Sequence, residues 1–486
     1  MYGSRNRAAS TRSLMRGCLI QKLAPVGLLA TALVLTLMAG VAFGQTAGTG
    51  TITGVVTDPK GLPMVDVSVT LHNVDTGIDH TLITNDSGIY VGKFLQPGLY
   101  EITSSKEGFA TVVRKDLRLE VGQTLTIDLQ MPLQTQQGEI TVTAASPVLE
   151  TDKTEQSEVV TQNLTANLPI AGRRWDSFVL LTPNVTTDGP GGLVSYRGVS
   201  GLYNSNNVDG ANNNNAFWSE ARGRTSITYG YSMDSIKEFQ VTAANYSAEF
   251  GQAAGGVVNA VTKNGTNQLH GDLFYYLRYP TLNALDSFSK AQAIANHVAP
   301  TQPVHQQQQF GASAGGPIVK DKLFLFGTYD GARKVFPVTI GTNASLPLPC
   351  TTIVPVGETV ADMAAKCAAA NTFMQGLLGP QPRNANQDLY FGKLDYQLNS
   401  TNHLSASYNF NNWTSLNGGY PPPTTSLDTT NSLQHYGTGV VHTRSFVGIW
   451  DFTLSSTKIN QVRFQWSRDF KWPEPMRRGP AYLSPA

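Results

Sequence analysis

The chain has 486 residues, of which 41% are hydrophobic, 14% charged and 9% aromatic, with 46 Gly and 26 Pro. That length holds roughly three domains of ordinary size and excludes a single small enzyme domain. The balance of 35 Lys and Arg against 34 Asp and Glu provides no broad positive field for nucleic acid or anionic lipid. Low charge with a polar remainder rich in Gly, Asn, Thr, Ser and Gln predicts strands and turns, hence a mainly β protein.

The first segment carries Arg5, Arg7, Arg12, Arg16 and Lys22 without an acid, followed by an apolar run over 26–43. This pattern predicts a signal peptide over residues 1–44, with the small residues Ala42 and Gly44 before the cut. A membrane helix is the other reading, because the run nearly reaches the roughly 18 to 20 residues of a span. Five of the basic residues lie in this leader, so the remainder of the chain is slightly acidic. Cys18 precedes the apolar run and leaves with the leader, so Cys350 and Cys367 form a candidate disulfide in an exported chain. Closing their loop of 16 intervening residues is worth about 3 kcal/mol. The stretch between them, with Pro355, Gly357 and an Ala-rich run, reads as a long external loop with a short helix.

Residues 50–132 contain short alternating runs at 51–57, 65–71, 81–84, 90–94, 100–105, 111–119 and 125–131, each bounded by turn residues. The first two, joined by Asp58-Pro59-Lys60-Gly61, are expected to form a hairpin, and about seven strands in this length predict a small β-sandwich. The stretches Gly54-Val55-Val56-Thr57-Asp58, Thr84-Asn85-Asp86-Ser87-Gly88-Ile89-Tyr90 and Pro97-Gly98-Leu99-Tyr100-Glu101-Ile102 carry a family pattern. They resemble the carboxypeptidase regulatory-like domain, also described as a carbohydrate-binding-like fold. The resemblance implies a spacer in front of an outer-membrane receptor. Sugar binding is a weaker implication, since Tyr90, Tyr100 and Phe109 read more simply as core or turn-packing residues.

Residues 133–150 read as a polar linker running into Glu139, Ile140, Thr141, Val142, Thr143 and Ala144, an extended hexapeptide with no obvious strand partner nearby. Exposed, it suits addition to another protein's sheet edge, although a last strand of the sandwich has the same composition. It looks like the TonB box that precedes the plug of TonB-dependent receptors. Residues 151–266 then present Asn167-Leu168-Pro169-Ile170-Ala171-Gly172-Arg173-Arg174, Leu181-Thr182-Pro183-Asn184-Val185, Tyr196-Arg197-Gly198 and Asn206-Asn207-Val208-Asp209-Gly210. Ile236-Lys237-Glu238-Phe239-Gln240-Val241, Tyr246-Ser247-Ala248-Glu249-Phe250-Gly251 and 255–263 follow in order, and the set resembles the plug of Oar-like TonB-dependent receptors. A plug is a compact α+β domain in a polar lumen, which suits short β runs among Gly and Asn turns. The resemblance makes Arg173, Arg174, Arg197, Asp209, Glu238 and Glu249 candidates for plug-to-wall ion pairs. Asn213, Asn214, Phe217 and Trp218 are candidates for a ligand-facing apex, with a flexible turn as the plainer reading.

From residue 267 to 486 the texture changes to aromatic-rich segments at 270–278, 322–329, 389–398, 403–410, 436–443, 446–454 and 461–470, separated by long polar loops. Val462, Phe464 and Trp466 alternate with Arg463, Gln465 and Ser467 as lipid-facing and lumen-facing positions would. The resemblance implies an antiparallel transmembrane barrel of about 22 strands, and at about 10 residues per strand this region is filled by strand residues alone. The expectation is therefore a partial barrel and a truncated chain.

Gly311-Ala312-Ser313-Ala314-Gly315 satisfies G-x-S-x-G but lacks the strand-to-helix context of a nucleophile elbow. There is no H-E-x-x-H, Walker A loop or carboxypeptidase zinc set in the sequence, so no cofactor, metal or enzyme activity is expected. The reading implied is an outer-membrane receptor in a Gram-negative cell, its first domain periplasmic and its partners TonB, outer-membrane lipid and an extracellular ligand. That ligand, carbohydrate included, stays open among oligosaccharides, peptides and siderophores. The alternative is a non-transporting surface or adhesion protein, and TonB binding through the hexapeptide discriminates the two.

Overall fold

The computed structural model describes residues 48–133, 140–143, 155–170, 173–188, 193–216, 219–222, 229–247, 250–282, 306–336, 338–340, 359–376, 378–381, 383–416, 427–428, 438–455 and 458–474, with scattered positions at 284–294 and Gly357. The leader predicted over 1–44 lies outside the described residues.

The first domain is the expected sandwich. One sheet joins β4 (Ile89–Leu95), β1 (Gly50–Thr57) and β7 (Thr124–Thr126), with β8 (Leu129–Gln130) also on β1. The other runs β3 (Asp79–Ile83), β2 (Ser68–Asn73), β5 (Gly98–Ser105), β6 (Val112–Leu119) and β9 (Ile140–Thr143). Strict alternation in β1, β2 and β5 sends Ile52, Val56, Val69, Leu71, Tyr100 and Ile102 into one core between the sheets. The expected hairpin of 51–57 with 65–71 does not form: β1 pairs antiparallel with β4, and β2 pairs with β3 and β5. Each of the two runs has one apolar face, and both faces are buried fully only if the strands lie in opposing sheets. Tyr90 and Tyr100 are buried core residues whose hydroxyls donate to the Ile127 and Gln96 carbonyls at 2.7 and 2.9 Å, so neither offers a sugar platform.

The second domain is built on a sheet ordered β10 (Gln156–Val160), β15 (Ile236–Ala244), β16 (Val257–Thr262), β13 (Ser205–Val208) and β14 (Ala211–Asn212). A hairpin of β11 (Val185–Asp188) with β12 (Leu193–Tyr196), the helix Gln162–Asn167 and the 3-10 helix Trp175–Leu181 cover it. β15 and β16 are buried along nearly their whole length, as expected of central strands covered on both faces. Trp175 meets Phe239 edge-on at 5.1 Å within this core.

The third region is one seven-stranded antiparallel sheet in chain order: β17 (His270–Arg278), β18 (Gln306–Val319), β19 (Leu323–Val335), β22 (Asn384–Asn399), β23 (Asn402–Ser415), β25 (Thr438–Ser455) and β26 (Lys458–Glu474). β20 (Val338–Ile340), β21 (Gly379–Gln381) and β24 (Leu427–Asp428) pair separately between the long connections. The sheet inverts the polarity of a soluble protein. Tyr275, Leu325, Tyr390, Leu394, Phe464 and Trp466 are exposed on one face, whereas Asp330, Gln387, Lys393, Asp395, Asn409 and Asn411 are buried on the other. That arrangement fits a wall facing lipid outside and a plug inside. The segments expected at 436–443 and 446–454 are one continuous strand, β25. β18, in which small residues obscure the strand period, carries Gly311-Ala312-Ser313-Ala314-Gly315 in its middle. Gly311 is required there, since a Cβ would approach the Tyr329 carbonyl to 2.2 Å.

Tight turns at 320–322 and 400–401 mark one end of the wall, and the long connections, including the helix Val360–Gly376, mark the other. The sandwich packs at the tight-turn end: the Asn267 amide donates to the Asp75 carbonyl at 3.0 Å, and Gln96 reaches Asp395 and His403. Short turns characterise the periplasmic end of outer-membrane barrels, which orients the sandwich.

Candidate functional site

The plug is held to the inner wall by buried polar contacts. Asp209 occupies a left-handed backbone position (φ 49°) that turns its carboxylate toward β16. There it accepts from the Thr262 amide at 2.9 Å and the Thr262 hydroxyl at 2.6 Å. Lys393 of β22 brings Nζ to 3.7 Å from this carboxylate and 3.1 Å from Thr262 Oγ1, and both charged side chains are only 6% exposed. Of the charges proposed from sequence, Asp209 forms an ion pair with the wall.

The ion pairs and hydrogen bonds described for Arg173, Arg174, Arg197 and Glu238 lie within the plug or against the sandwich instead. Arg173 pairs with Asp234 inside the plug at 2.6 Å and meets the wall through the Phe274 and Tyr276 rings, 4.3 and 4.5 Å from its guanidinium. Asp234 is pushed up by burial, which the Arg173 charge partly offsets. Arg174 binds its near neighbour Asp176 at 3.3 Å. Arg197 donates to the Gly255 carbonyl at 3.5 Å, still within the plug. Glu238 is buried against the sandwich, accepting from the Val121 amide at 2.6 Å with Arg118 at 3.5 Å. Burial pushes Glu238 up and its neighbour Lys237 down, and Lys237 Nζ donates to the Pro97 carbonyl at 2.5 Å. Glu249 lies outside the described residues.

Several wall contacts escaped the sequence reading because they need the register of distant strands. Arg222 grips Asp469 of β26 bidentately, at 2.9 Å from Nε and 3.0 Å from Nη2. Asp330 of β19, fully buried, accepts from Tyr229 at 2.6 Å, Ser232 at 2.8 Å and Gln309 at 3.2 Å. Arg463 and Gln465 of β26 donate to the Gly210 and Asn212 carbonyls at 3.0 and 2.7 Å. The available signal was a polar residue at every second position of a strand whose alternate residues are aromatic.

Of the proposed apex, Asn213 is buried and its backbone closes a turn with Asn206 and Arg222. Asn214 accepts from the Asn206 side chain at 2.8 Å and donates to the Asn204 carbonyl at 2.7 Å, so these amides brace the plug. Asn214 also lines an open cleft of about 800 Å³ with Tyr203, Asn212, Asn215, Gln252 and Gln465. Phe217 and Trp218 lie outside the described residues.

The hexapeptide has the strand partner that the sequence did not reveal: Ile140, Thr141, Val142 and Thr143 pair parallel with Val112, Val113, Arg114 and Lys115. Glu139 and Ala144 lie outside the described residues. Cys367 sits on the helix Val360–Gly376 and is disulfide-bonded, whereas Cys350 lies outside the described residues. Ser313 stands mid-strand in β18 with its hydroxyl donating to Asp272, not on an elbow.

At the junction of sandwich and wall, His403 lies 3.3 Å from Asp451, and Gln96 bonds the other ring nitrogen at 3.3 Å. His80 shares this pocket; burial, and then the neighbouring His403, lower it to about 4. Freed, it would titrate at about 6.5, so undocking takes up a proton between these values and acid favours release. Amide exchange at β3, corrected for intrinsic rate, is therefore expected to rise as pH falls through that window. His80→Gln should flatten the dependence.

The outer membrane beta barrel domain family matches residues 261–349 and 337–483, and the carboxypeptidase regulatory-like domain family matches residues 51–132. The TonB-dependent transporter Oar of Myxococcus xanthus is 26% identical over 435 residues, covering 87% of this chain and 38% of that protein. Among solved structures, a ferric enterobactin receptor from Pseudomonas aeruginosa gives a TM-score of 0.44 at 14% identity, covering 65% of this chain and 41% of its own. The outer membrane transporter YddB from Escherichia coli gives 0.43 at 13%, covering 64% and 38%. The chain thus spans well under half the length of these proteins, which are receptors and transporters rather than enzymes. Similar over 87% of its length to a TonB-dependent transporter, the chain joins a carboxypeptidase regulatory-like domain to an outer membrane β-barrel domain and is a Gram-negative outer-membrane protein.

Proposed function

We propose that the chain acts in TonB-dependent uptake of a large or scarce extracellular ligand, with Glu139, Ile140, Thr141, Val142, Thr143 and Ala144 as the coupling segment. The observation supporting this is a plug packed on a membrane-type sheet through discrete polar contacts, Asp209 with Lys393 and Arg222 with Asp469. Such contacts hold a plug at rest, and they fail one after another under a directed pull because each is short-ranged. An apolar interface of equal extent would resist sliding far more evenly. Ligand on the outer side, release of the segment into the periplasm, strand addition to TonB and displacement of the plug then follow as steps. Energy enters through TonB, so the chain's own residues bind and position.

The test is binding of the purified chain to the periplasmic domain of TonB. Saturable binding at about micromolar strength, displaced by a peptide of the sequence 139–144, is the expected result. Absence of binding would favour the adhesion reading instead.

A further inference from the structure

The larger sheet of the sandwich ends on β9. Its pairing with β6 covers four residues in parallel register, Val112 with Ile140 through Lys115 with Thr143. Just beyond Lys115 the edge is irregular: the β5–β6 register shifts between Tyr100 and Ile102, opposite Leu117 and Arg114, and Asp116 takes a left-handed backbone at φ 60°. The straight part of the edge therefore accepts only a short strand. Arg114 and Lys115 set two cations along it. A bulge, a short ladder and edge cations are the devices by which sheets discourage permanent edge pairing. Parallel pairing is also the weaker kind. This edge is suited to holding a strand and letting it go, and the strand it holds is the proposed coupling segment.

We infer that the β6 edge is the resting dock of the coupling segment, and that TonB competes with β6 for it; the inference rests on the coupling role proposed above. Backbone groups of alternate residues in a strand face opposite sides. On the dock, half of the segment's groups therefore face β6. TonB adding to the other side of β9 would have to accept the position and twist that β6 imposes, whereas release leaves Glu139 to Ala144 free to fit TonB's own edge. Among the described residues no strand pairs with that other side. The sandwich then sets how much coupling segment TonB can reach, which gives a spacer domain a regulatory task.

The test is a disulfide across the dock in the full chain. Arg114 and Val142 are register partners, and adjacent strands lie about 4.8 Å apart, within reach of a disulfide. Arg114→Cys with Val142→Cys is expected to cross-link on mild oxidation, whereas Arg114→Cys with Thr141→Cys, one residue out of register, should not. The cross-linked chain should bind the TonB periplasmic domain more than about tenfold more weakly, with recovery on reduction. Equal cross-linking of both pairs, or of neither, overturns the dock. Equal TonB binding by oxidised and reduced chain overturns the competition. If neither form nor the unmodified chain binds TonB, the coupling role itself falls, a result distinct from either of these.

Discussion

Ile140→Pro with Val142→Pro is expected to abolish TonB pull-down and ligand uptake while the chain still reaches the outer membrane. Each proline removes one backbone donor from a strand that works through its ladder and fixes φ near −65°. Two unmade bonds of about 1.5 kcal/mol each weaken strand addition by about 100-fold. The same change loosens β9 from β6, whereas the sandwich core of Ile52, Leu71, Tyr100 and Leu117 is carried by other strands. Uptake equal to that of the unmodified protein would sink the coupling role. A charge-preserving control, Thr141→Ser, should leave binding unchanged.

Lys393→Met is expected to unseat the plug locally. The side chain keeps its length but leaves Asp209 buried without its cation, and breaking one side of a buried pair costs about 3–5 kcal/mol. Local opening of the plug, read as amide exchange at Thr262, should rise by roughly 100-fold or more. Combining Lys393→Met with Asp209→Asn removes the orphan charge. Most of the protection should then return, because the side-chain carbonyl that replaces the carboxylate can still accept from the Thr262 amide. Exchange unchanged in the single variant would show that the pair holds nothing. Arg173 and Arg174, whose ion pairs lie inside the plug, should give no such recovery in combination with Lys393→Met.

Much of the architecture was legible because its signals are local. Alternation in 51–57 and 100–105 encodes buried and exposed faces within a few residues, and β1 and β5 follow it. The alternation of Val462, Phe464 and Trp466 with polar residues likewise marks a wall between lipid and lumen, and β26 exposes its aromatics accordingly. Local pattern was silent on partner strands. It read 51–57 and 65–71 as a hairpin, although the shared core drives them into opposing sheets, and it left the hexapeptide without the β6 edge that receives it.

The candidate site shows the same division more sharply. A list of plug charges can be written from the sequence, but partners such as Lys393 for Asp209 and Val121 for Glu238 lie more than 100 residues away. Glu238 reads identically to Asp209 as a lone acid beside a β run, yet one is buried against the sandwich and the other against the wall. The sequence by itself determined the three kinds of domain, their order and the inside-out polarity of the last, since periodicity and turn chemistry act within a single strand. Only the tertiary structure decided which charge meets which surface and where the coupling segment rests, because desolvation and pairing depend on neighbours that the fold alone brings together.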